Sequence, residues 1–362
     1  MKKILPKPVS RPRFSAFSLY ALGLLLPVLT ARAGLIFNFT ATSETPQSVI
    51  NDFQQAGARW SNVFSDPVTV NINIDFAALG SGILGQTSTT RYYTSYSNIK
   101  AALTADETSA ADATAVAHLQ SGSTITKLVN ETSQHHTATL DTDGSLNNQD
   151  VLATSADLKA MGFTGITAPS DASITFSSNY AWDFDPSNGI DAGKYDLVGV
   201  ATHEIGHALG FMSDVDYVDA INPAGPFPNE NSSAAYFSTP LDLFRYSNFN
   251  GAIVNDFTAG TPSRVRYFSI DGGVTNLGAF SLGANQGDGY QASHWKDNLG
   301  LGIMDPTAAP GELLGISSLD VTALDVIGWN VRTSSVPDSG AGIAGLTTLL
   351  VLCGVGYRRR PA

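Results

Sequence analysis

The stretch Val198-Gly199-Val200-Ala201-Thr202-His203-Glu204-Ile205-Gly206-His207-Ala208-Leu209-Gly210 constrains this chain more than any other. Val198, Val200, Ile205 and Leu209 give it the apolar surroundings of a buried helix. Positions i and i+4 of a helix share a face, with Cβ atoms about 5–6 Å apart. His203 and His207 have that spacing, so their imidazoles reach one zinc ion at ~2.0–2.1 Å. Glu204 lies beside them, where a carboxylate takes a proton from metal-polarised water and returns it to a leaving amine. The chain has only six histidines. A chance HExxH is then on the order of one in a hundred chains or rarer, so the stretch reads as a metal site.

A catalytic zinc needs a third protein ligand and an open position. Gly210 ends the helix three residues after His207, giving HExxHxxG, the start of the metzincin pattern. The compact pattern expects a third histidine three residues further on. That position is Ser213, followed by Asp214 and Asp216, which stand as alternative third ligands. His118 falls on an expected helix over 107–119 and reads as packed or surface. His135-His136 reads as surface. His294 is the only histidine after the zinc helix, in Ser293-His294-Trp295-Lys296-Asp297-Asn298-Leu299-Gly300-Leu301-Gly302-Ile303-Met304-Asp305-Pro306.

Residues 198–211 and 293–306 together resemble the leishmanolysin-type metzincins. In that family a long insertion separates the glycine from the third histidine, and a methionine turn follows. The resemblance implies that His294 is the third ligand. It implies that Met304 packs beneath the metal without binding it; plain core packing is the alternative for this methionine. It also implies that strand residues upstream of the helix, Ile174 to Asn179, pair with an extended peptide. The gluzincins, which take a downstream helical glutamate, fit less well. The first glutamate after His207 is Glu230, in the loop-like Pro226-Phe227-Pro228-Asn229-Glu230-Asn231.

Both ends read as processing signals. Residues 1–33 combine a basic start, an apolar run from about Phe14 to Leu29, and Ala31-Arg32-Ala33, which fits a signal-peptidase site and makes Gly34 the expected mature start; a transmembrane anchor is the alternative, though the run is short and Pro27 interrupts it. Residues 336–362 run Val336-Pro337-Asp338-Ser339-Gly340, an apolar stretch, then Arg358-Arg359-Arg360. This order resembles the VPDSG variant of PEP-CTERM sorting tails. The resemblance implies transient anchoring in the inner membrane of a Gram-negative bacterium, then removal by exosortase, with permanent retention as the alternative. The whole chain, with Leu324-Asp325-Val326-Ile327-Gly328-Trp329, also resembles a bacterial group of exosortase-sorted HExxH proteases. The expected location is therefore secreted or cell-surface. Without the two ends, the chain carries 11 basic and 31 acidic residues, a net charge of −20. That argues against nucleic acid and anionic membrane as partners and also suits solubility outside the cell. The only cysteine, Cys353, lies in the tail, so residues 34–335 have no disulfide and no thiol to block the metal.

Periodicity predicts a helix over 46–65, an alternating strand over 67–76, a glycine-rich turn over 80–85 and helices over 94–104 and 107–119. Further elements are expected at 156–161, 172–176, 193–209, 263–270 and 317–328. Asp183 to Asp191 is rich in oxygen side chains but misses the EF-hand register. It reads as a solvated turn, with a Ca²⁺ loop as the alternative. The expectation is an α+β fold in two lobes, a mixed sheet with helices over 34–210 and an irregular lobe over 211–332, with zinc in the cleft. The expected activity is hydrolysis of protein or peptide substrate. The alternative is a surface or matrix structural protein with a non-catalytic zinc site.

Overall fold

The computed structural model of the chain describes residues 34–130, 138–221, 237–260 and 263–332. The expected signal region and expected sorting tail, together with His135-His136 and Glu230, lie outside the described residues. The chain begins with β1 (Ile36–Ala41), α1 (Gln47–Val63), β2 (Thr69–Ala77), β3 (Gly85–Thr89) and β4 (Arg91–Ser95). Then come α2 (Tyr96–Ala105), α3 (Ala110–His118), β5 (Lys127–Asn130), β6 (Ala138–Asp141), α4 (Leu146–Gln149), β7 (Asp150–Thr154), α5 (Ser155–Ala160) and β8 (Ala172–Ser177). The short β9 (Trp182–Asp183) and β10 (Tyr195–Asp196) lead into the central helix α6 (Leu197–Ala208) and α7 (Val215–Ile221). The rest comprises β11 (Arg245–Phe249), β12 (Ala252–Asn255), β13 (Tyr267–Phe268), β14 (Gly278–Ala279) and α8 (Ser318–Asp325). The class is mixed α+β, as expected.

The main sheet has the order β1-β2-β8-β3. Its first three strands are parallel, and β3 runs antiparallel to β8 at the edge. Alternation sets the buried face of β2: Val70, Ile72 and Ile74 point inward. Helix α1 buries Val49, Phe53, Ala56 and Trp60, the helical stripe read from the sequence. Trp60 joins α1 to α6, its indole Nε1 donating to the Thr202 carbonyl at 2.8 Å. Trp329 closes the other end, donating to the Leu209 carbonyl at 2.7 Å. One hydrophobic core thus draws on residues from both sides of Gly210, from Leu35 to Trp329. The downstream half carries a second sheet, β12-β11-β13-β14, antiparallel throughout.

Three expectations need correction. Strand β8, which includes Ile174, is interior, paired with β2 on one side and β3 on the other, so it has no free edge for a peptide. Among the described residues the edge strands of this sheet are β1 and β3, and β3 is the one packed against α6. The central helix starts at Leu197, not 193, because Tyr195–Asp196 pairs with Trp182–Asp183 as strand. Asp196 then caps α6, accepting from Gly199 N–H at 2.7 Å. The expected strand over 263–270 shrinks to β13, two residues long. Among the described residues no helix is long and apolar enough to cross a membrane.

Candidate metal centre

His203 and His207 leave the same face of α6, and His294 meets them from a non-helical segment. The three Nε2 atoms form a nearly equilateral triangle. His203 and His207 are 3.1 Å apart, and each is 3.2 Å from His294. The other ring nitrogens fix the tautomers. Nδ1 of His203 donates to the Ile303 carbonyl at 2.6 Å, that of His207 to the Phe211 carbonyl at 2.7 Å, and that of His294 to the Gln291 carbonyl at 3.2 Å. A carbonyl only accepts, so each Nδ1 carries the proton and each Nε2 presents a lone pair. Three converging lone pairs repel one another unless a cation lies between them. Burial, and then the neighbouring His203, hold the His207 pKa down to about 3. Burial and the other two imidazoles hold His294 well below its ordinary value. The group could hold a metal ion, and among the described residues it is the only group of three or more such side chains.

The end of α6 is built for this. Gly210 adopts φ +116, which favours glycine. Its N–H donates to the His207 carbonyl at 3.1 Å, and Phe211 N–H to the Gly206 carbonyl at 3.0 Å. This is a Schellman turn, and it folds the Phe211 carbonyl back onto His207 Nδ1. Gly206 serves packing instead. A Cβ there would stand 2.5 Å from Met304 Sδ, so the buried methionine lies directly against the ligand helix.

His294 is held from two sides by aspartates, the half-buried Asp216 and the buried Asp320. Asp216 accepts from Ala292 N–H at 2.5 Å and Ser293 N–H at 3.2 Å, and also from Ser293 Oγ. Asp320 accepts from Trp295 Nε1 at 2.8 Å, Ile303 N–H at 2.8 Å and Met304 N–H at 3.3 Å. It also caps α8 through Ser317 N–H at 2.7 Å. One carboxylate therefore fixes both the residue after His294 and the peptide whose carbonyl orients His203. Asp214 points elsewhere, pairing with Arg91 at 2.8 Å. The positions Asp214 and Asp216 thus lie outside the histidine group. Asp216 supports the ligand segment and does not join the ligands.

Glu204 is buried beside the triangle. Its Oε2 lies 2.5 Å from Thr87 Oγ1 on β3, which is also 3.1 Å from the Glu204 carbonyl. Burial pushes its carboxyl pKa upward, against the lowering pull of His203 and the Thr87 bond. The sequence reading missed Thr87 and Asp320. Asp320 had one signal: Ser317-Ser318-Leu319-Asp320 is a capping box, which marks that aspartate as a helix start but not as a clamp.

The candidate calcium loop closes on its own bonds. Asp183 accepts from the N–H groups of Asp185 at 3.0 Å and Asp191 at 2.8 Å, and Asp191 pairs with Lys194 at 2.6 Å. Tyr290 is turned toward Asp297, whose hydrogen bond raises the phenol pKa. Comparison of the chain with protein-family models, curated proteins and solved structures gives no match.

Proposed function

We propose that this protein is a zinc-dependent endopeptidase. The observation that carries the reading is the triangle of bare Nε2 atoms beside a buried carboxyl. Tetrahedral ligands at ~2.0–2.1 Å from zinc stand about 3.3–3.4 Å apart, close to the spacing of the triangle. An all-imidazole set leaves the fourth position open, as catalytic zinc requires. When bound, zinc polarises the scissile carbonyl and lowers the pKa of a water toward ~7. Glu204 then takes the proton of the attacking water and delivers it to the leaving amine. The resemblance to leishmanolysin-type metzincins, with a two-lobe cleft and a methionine turn at Met304, supports the same reading.

The edge strand supplies a place for substrate. The Leu84 carbonyl accepts from Ser177 N–H, and Thr90 N–H donates to the Asp171 carbonyl. Facing alternates along an antiparallel ladder. The main-chain groups of Gly85, Thr87 and Thr89 therefore face away from β8, toward the free edge. An extended peptide adds there as a further strand. A structural zinc site needs neither a base nor an edge, so the matrix-protein alternative leaves both unexplained. Export and exosortase sorting rest on the two chain ends and belong to the proposal on sequence grounds.

The test uses residues 34–335 with casein and a peptide library, with and without a chelator. Cleavage that stops on chelation and returns with zinc is expected. Intact casein and peptides at one equivalent of bound zinc would defeat the reading.

A further inference from the structure

Gly85 has no backbone reason to be glycine. It lies in β3, and its φ is outside the left-handed region that the turn glycines occupy. A Cβ at this position would meet Glu204 first: Oε1 at 2.6 Å, Cγ at 3.0 Å and Cδ at 3.1 Å are the nearest atoms. The space left by the missing side chain is filled by the Glu204 carboxyl. Two residues along a strand return to the same face. There Thr87 Oγ1 binds the other carboxyl oxygen at 2.5 Å. Glu204 is thus seated by a void at Gly85 and a hydrogen bond at Thr87.

The same two residues turn their main-chain groups to the free edge of the sheet. We propose that Gly85 and Thr87 are positioning residues for Glu204, so that the strand receiving the substrate backbone also sets where the proton-transferring carboxyl stands. The kinetic part of this inference rests on the peptidase reading; the seating of Glu204 does not. The nearest atom to a new Cβ is the far end of a flexible side chain. Gly85→Ala therefore folds and displaces the carboxyl instead of the strand.

Substrate-free structures of the Gly85→Ala and Thr87→Val chains test the seat directly. The expected result is a Glu204 carboxyl moved out of hydrogen-bond range of residue 87 in the first, and released from it in the second. Zinc content stays at that of wild type. With a peptide substrate, kcat falls on the order of 10²-fold for Gly85→Ala, the usual consequence of a misplacement near 1 Å, while KM is little changed. Thr87→Val loses about tenfold in kcat, and Thr87→Ser recovers it. An unmoved Glu204 in Gly85→Ala overturns the inference. So does an active wild type whose kcat is untouched by both substitutions. A loss that merely tracks melting temperature and zinc content also overturns it, since that is a structural effect. An inactive wild type with a displaced Glu204 in the variant sinks the peptidase reading and leaves the seat standing.

Discussion

Two segments meet at the candidate metal centre, and they reach it by different physics. Helix α6 brings His203 and His207 together through its own geometry, four residues apart on one face. The segment from Gln291 to Met304 delivers His294 from 87 residues beyond His207, with no helix or strand of its own at the ligand. It is held instead by carboxylates from two other helices, Asp216 of α7 and Asp320 of α8. The difference teaches where a site like this is robust. A helical ligand pair is fixed by backbone hydrogen bonds, which substitutions at distant positions leave intact. A loop ligand is only as well placed as its anchors.

The largest expected effect lies on the helix side. Glu204→Gln should retain zinc at one equivalent and lose about 10²–10⁴-fold in peptide hydrolysis, measured as kcat/KM. Retained activity would mean that α6 provides ligands but no base. Next, His294→Ala should weaken zinc binding by more than the 10–100-fold typical of an outer-shell partner. A competitive chelator titration reads this, and unchanged affinity would return Asp214 or Asp216 to candidacy. The anchors come third. Asp216→Asn and Asp320→Asn should each weaken zinc binding by about 10–100-fold while His203 and His207 keep their positions. Equal affinity in both variants would show that the loop is held by packing around Trp295 and not by the carboxylates.

The smallest effect concerns the base of α6. Gly210 rests against Asp157, whose carboxyl oxygens are buried and find no hydrogen-bond partner among the described residues. Burial raises Asp157 well above the ordinary range, helped by Asp106 and Asp66. Burial likewise raises Asp106, and Asp325, to about 6. A carboxyl with a raised folded pKa favours the fold when protonated. Its contribution is fully present below the unfolded value of 3.8 and is lost as pH rises through about 6. His207 and His294, depressed in the fold, act oppositely over the same window in metal-free protein. A comparison of variants separates the two. Asp106→Asn should leave the melting temperature near wild type at pH 4 and raise it by a few degrees at pH 8. An equal shift at both pH values would break this account.

Much of the scaffold was legible because it is periodic. The stripe Val49, Phe53, Ala56, Trp60 announced α1, and the alternation of Val70, Ile72 and Ile74 announced β2. The polar, Ser/Thr-rich strand β3 carries no such signal, since its burial alternates only between half-buried and exposed. The resemblance pointed instead to Ile174–Asn179 as a peptide-pairing strand, and tertiary pairing covers β8 on both sides. His294 and Met304 were named through resemblance, and nothing in their local sequence distinguishes ligand from core.

The sequence alone determined the histidine pair that could hold a metal ion, the glutamate between them and the end of the helix at Gly210. All of these depend on contacts within a few residues. Tertiary structure alone decided that β3, and not β8, lies at an edge of the sheet and that Asp216 holds the His294 segment from outside the histidine triangle. It also decided that Gly85 leaves room for Glu204. Each of these is a relation between residues dozens of positions apart, fixed by strand order and by the hydrogen-bonding needs of buried carboxylates.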